Sequence, residues 1–132
     1  MSESDYFAVA CAIALMQAVE GGLLLARQGR IHPVMHLSSA VELAWLVVTI
    51  IAVRGNWLSG GRAFWAWAFI CYYAAYSCAG ISLLRRGEDP DPDSAGLEDW
   101  VSPIRIPAPV VIPSIAFSLA YGIGCFLVLR AL

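Results

Sequence analysis

Four apolar runs of about twenty residues constrain this chain more than any other feature, because each can cross about 30 Å of hydrocarbon as a helix rising 1.5 Å per residue. They cover about 6–26, 34–53, 63–84 and 109–129, and between them they carry only two carboxylates, Glu20 and Glu42. With 60% of its 132 residues hydrophobic, the chain is too apolar for an ordinary soluble domain. It reads as one integral membrane domain over 1–132. The first run follows Ser2, Glu3, Ser4 and Asp5, the wrong charge for a secretory leader, so it is expected to remain as a span; Ser4 and Asp5 suit a helix N-terminus.

The connections set the topology. Arg27 to Pro33 and Arg54 to Arg62 are short and broken by Gly29, Pro33, Gly55, Gly60 and Gly61. Short links make consecutive spans antiparallel neighbours, which predicts an all-α, up-down four-helix transmembrane bundle. The third connection, Arg85 to Ala108, is a long acidic, Pro-rich loop whose first half, Glu-Asp-Pro-Asp-Pro-Asp, is expected to stay solvated. Its second half, Leu97 to Pro109, turns apolar and is expected to lie on the bilayer or fold back over the bundle mouth.

Charge gives an orientation. The side holding the first and third connections has Arg27, Arg30, Arg85, Arg86 and Arg105 against Arg54, Arg62 and Arg130 on the other. The bias favours the first and third connections in the cytoplasm, an N-terminus outside and a bacterial inner membrane. Trp57, Trp65 and Trp67 cluster at the opposite face as interface anchors. The arginines form no patch for nucleic acid. Cys11, Cys71, Cys78 and Cys125 lie in apolar runs without a Cys-x-x-Cys pair and are expected to act as small buried hydrophobes.

Residues three and four apart share a helix face. Span two has Ser38, Glu42, Trp45 and Thr49 at that spacing, and span four has Ser114, Ser118, Tyr121 and Cys125. Span three offers Tyr72, Tyr73, Tyr76 and Gly80, and span one Gln17 and Glu20. Polar atoms facing lipid cost several kcal/mol each, so these faces are expected to point at one another. Glu20 and Glu42 both fall roughly 10 Å inside the face bearing the first connection.

A pocket is expected there, with Glu20 and Glu42 as catalytic candidates and Gln17, Trp45, Tyr73, Tyr76, Ser114 and Ser118 as candidates for binding a substrate. His32, His36, Asp99 and Arg105 would form its rim. Neighbouring carboxylates in a dry site titrate as a pair and can supply one acid and one base near neutral pH. That suits acid/base conversion of a lipophilic small molecule by an isomerase, cyclase or hydrolase. A purely structural role, with the carboxyls as interhelical glue, stands beside it. His-x-x-x-His puts two imidazoles on one face only if the helix begins by Ile31, so neither metal nor cofactor is assigned. Gly21, Gly22 and Gly80 are read as sites of close helix approach.

A lone glutamate in the first of four spans, Glu20, resembles the small multidrug resistance transporters, which implies a proton-coupled exporter acting as a dimer. The long third connection and the second glutamate depart from that pattern. Glutamates on consecutive spans, Glu20 before a glycine and Glu42 before Trp45, are loosely similar to the emopamil-binding type of sterol isomerase, although the first connection is shorter and helix-borne histidines are missing. The expected partners are membrane lipids, a lipophilic or amphiphilic ligand, and a second copy or another membrane subunit, as an accessory protein of a larger complex would have.

Overall fold

The computed structural model describes residues 1–30, 33–86 and 106–132, with side chains as far as 82 in the middle segment. The acidic loop, together with His32, Asp99 and Arg105, lies outside the described residues. Four long helices make up the fold: α1 (Glu3–Ala26), α2 (Val34–Arg54), α3 (Ala63–Arg86) and α4 (Ala108–Ala131). A short 3-10 turn, Gly60–Arg62, leads into α3. The helices pack as an up-down bundle in which α1 neighbours α2 and α4, and α3 neighbours α2 and α4. At 24 residues α1 is about 36 Å long, more than the hydrocarbon thickness it has to cross.

Helix starts follow local chemistry. Ser2, rather than Ser4, caps α1: its hydroxyl accepts from the Asp5 N–H at 3.1 Å, and the Asp5 carboxylate accepts from the Ser2 N–H at 3.3 Å. Pro33 directly precedes α2, where its missing N–H costs no helical bond. At the same end of the bundle as Ser2, Glu3 clasps the second connection, accepting from the Ser59 N–H at 3.0 Å and pairing with Arg62 at 2.8 Å.

The buried face of α1 runs Tyr6, Ala10, Ile13, Gln17, Gly21 and Leu24, at steps of three and four. It lies closely on α4. A methyl group at Gly122 would stand 3.0 Å from that of Ala14, and one at Gly21 would run into Ile115. Small residues therefore set the approach of these two helices, as bundles in lipid require. Gly22 and Gly80 play no such part: a Cβ on either would meet open space among the described residues.

Two apolar clusters result. The larger joins Tyr6, Phe7, Trp45, Phe69, Tyr121 and Cys125 towards the end held by Glu3 and Arg62. The smaller joins Leu24, Met35 and Val111, with Ile106 and Ile115 against it, at the end of the first connection. Trp65 turns inward, its ring against Gly124 and 6.5 Å from that of Tyr121, whereas Trp57 and Trp67 remain exposed. Cys125 is buried and Cys11 half-buried, but Cys71 and Cys78 lie exposed on the outer side of α3, where a small thiol is as compatible with acyl chains as with a core.

Candidate functional site

Between the two apolar clusters lies a polar stratum. The inward stripes of α2 and α4 are placed as their spacing predicts: Trp45, Thr49, Ser118, Tyr121 and Cys125 are buried, and Glu42 and Ser114 are half-buried. Glu20 on α1 and Glu42 on α2 come together there, their carboxyls adjoining, with Ser38 beside Glu20. Both line a cavity of about 150 Å³.

The other walls come from three helices. Tyr72 and Tyr76 project from α3, Ser114 from α4, and Gln17 from α1. Tyr72 is held firmly: its ring stacks on Phe117 with centroids 3.9 Å apart, and its hydroxyl donates to the Ser114 hydroxyl at 3.0 Å. Tyr76 stacks in turn on Tyr72 at 5.7 Å. Ser39 faces the cavity while its hydroxyl donates to the Met35 carbonyl at 2.9 Å. His36 lies exposed at the mouth.

Gln17 stands apart from these satisfied groups. It is only 4% exposed, and neither its amide nitrogen nor its amide oxygen has a hydrogen-bond partner among the described residues. Its amide lies beside the Glu42 carboxyl without forming a well-aligned hydrogen bond to it. Buried amides are nearly always paired, so an orphan beside a cavity calls for a physical explanation.

At the first connection, backbone from just before α4 crosses to the turn after α1. Gly29, at φ +82°, accepts from the Ile106 N–H at 3.0 Å, and Ile106 lines the cavity. The Ile106 carbonyl lies where a side chain at residue 29 would point, so only glycine fits the left-handed turn and the crossing chain together. Ile106, two residues before α4, is thus tied to the turn that follows α1.

Of the residues singled out from the sequence, Glu20, Glu42, Gln17, Tyr76, Ser114 and His36 meet around one cavity. Trp45, Tyr73 and Ser118 lie elsewhere. The Trp45 indole stacks on Tyr6 at 4.8 Å and donates to the Tyr121 hydroxyl at 3.4 Å, within the larger apolar cluster. Tyr73 packs against Phe69, and the Ser118 hydroxyl turns back to the Ser114 carbonyl at 2.8 Å. Tyr72, placed from the sequence on the polar face of span three but not among the binding candidates, joins them, and Ser39 is an addition that its spacing of three from Glu42 could have revealed. Among the described residues no three histidine, cysteine or acidic side chains gather as a metal-ligand set.

Four helices long and apolar enough to cross a bilayer make this a small polytopic membrane protein in contact with lipid. The chain matches no family model, no curated protein and no solved structure.

Proposed function

We propose that this protein binds the polar group of a lipophilic or amphiphilic small molecule inside the membrane, and that Glu20 and Glu42 move protons on it as a pair. The observation that carries this reading is the meeting of two carboxyls from adjoining helices in a cavity that also holds an unpaired amide. Interhelical glue is the weaker account. Glue consists of well-paired groups, and the Gln17 amide, buried beside Glu42, makes no well-formed hydrogen bond at either end among the described residues. In the proposed chemistry one carboxyl, protonated, donates to the ligand while the other accepts, and Tyr72 and Tyr76 orient the bound group. The arginines near the first and third connections support placing this end of the bundle in the cytoplasm.

The test is labelling with a carbodiimide that partitions into hydrocarbon, on the full chain in phosphatidylcholine vesicles, read by peptide mass. The expected result is adducts at Glu20 or Glu42, lost in Glu20→Gln together with Glu42→Gln. Absence of both adducts in the folded protein, with labelling once it is unfolded, would refute a proton-exchanging site.

A further inference from the structure

A second space meets the cavity at Glu20 and Met35. It is a groove of about 420 Å³ between α1 and α2, with Val19, Leu23 and Val34 on its walls and Arg27 in its lining. Those three apolar side chains are 55%, 51% and 62% exposed, so the groove opens on the outside of the bundle, where acyl chains stand. The two spaces differ in what they can hold. A cavity near 150 Å³ suits a benzene-sized group, whereas the groove falls within the range of sites for drug-sized ligands.

The orphan amide selects the chemistry of the head. The Gln17 nitrogen requires an acceptor and its oxygen a donor. An ammonium group only donates and leaves the nitrogen unpaired. A carboxylate only accepts, and it brings a third acid to Glu20 and Glu42. A hydroxyl can do both, accepting from the nitrogen and giving its one proton either to the Gln17 oxygen or to a carboxylate of the pair. Arg27, in the groove lining, disfavours a cation further.

We infer that the occupant is a neutral lipid alcohol whose hydroxyl sits between Gln17 and the Glu20–Glu42 pair, with its apolar tail in the α1–α2 groove, reached sideways from the bilayer. This inference rests on the function proposed above and names the ligand class for the same site. A charge-assisted hydrogen bond made or lost at the head changes affinity about ten-fold or more.

The experiment uses the full chain in phosphatidylcholine vesicles with dodecanol carrying a diazirine at the end of its tail, and maps photo-adducts by peptide mass. Adducts are expected on Val19, Leu23 or Val34. Unlabelled dodecanol is expected to compete about ten-fold better than dodecylammonium or dodecanoate, and Gln17→Met to erase that preference. Adducts confined to α3 or α4, equal competition by the ammonium or the carboxylate, or an undiminished preference in Gln17→Met would each overturn the inference. If these arms fail while the carbodiimide labels Glu20 or Glu42, only the ligand class and route are lost. If the carbodiimide labels neither, the proton-exchanging pair itself is lost.

Discussion

Replacing Gln17 with methionine removes both ends of the orphan amide while keeping an unbranched side chain of similar volume. A buried amide without partners costs about 1–3 kcal/mol on mutational evidence. Volume-conserving exchange in a packed interior costs less than about 1.5 kcal/mol. Gln17 is 4% exposed and makes no well-formed hydrogen bond among the described residues, so an amide penalty is there to be relieved. The ligand-free Gln17→Met protein is therefore expected to lie between about 0.5 kcal/mol less stable and about 3 kcal/mol more stable. Unfolding in mixed micelles of a mild detergent and dodecyl sulfate, followed by far-ultraviolet circular dichroism, measures the difference. Dodecanol provides the converse, stabilising the wild-type chain by mass action and Gln17→Met much less. A loss of more than about 1 kcal/mol in Gln17→Met would show that the amide is satisfied in the native protein, and the argument from an orphan group would fail.

Two further substitutions follow from the backbone. Gly21→Ala pushes Ile115 aside and is expected to cost about 1–3 kcal/mol, whereas Gly80→Ala meets open space and is expected to be neutral or up to about 1 kcal/mol stabilising; the same micelle titration compares them. Gly29→Ala, strained at φ +82° and obstructed by the Ile106 carbonyl, is expected to cost at least about 1 kcal/mol and to speed thiol modification of a cysteine placed at Ile106; an unchanged rate would mean that the crossing does not hold Ile106 in place.

Much of this architecture was legible in the sequence because hydropathy alone marks spans, and the four helices start and end within a few residues of the predicted runs. Inward faces were legible for the same kind of reason: Ser118, Tyr121 and Cys125 are polar or small at helical spacing, and all three are buried. A stripe gives a face but not which neighbour it meets at each turn. Glu42 and Trp45 share one stripe, yet the first reaches Glu20 and the second reaches Tyr6 and Tyr121. Tyr72 and Tyr73 differ by one residue, about 100° around the helix, and only the seat of α3 between α2 and α4 decides that Tyr72 lines the cavity. The Gly29–Ile106 crossing joins residues far apart in the chain through backbone atoms, which no side-chain pattern encodes.

The close seating of α1 on α4 also fixes when the site can come into being. Helices leave the ribosome in order, so α1, α2 and α3 enter the bilayer before the partner that covers Ala14 and Gly21 has been made. Until then the wall that carries Ser114 is missing, and Ala14 and Gly21 face whatever stands in for α4, whether lipid or the insertion machinery. The seam between the earliest and the latest helix is the last to zip, and its zipping turns three inserted helices into a vessel.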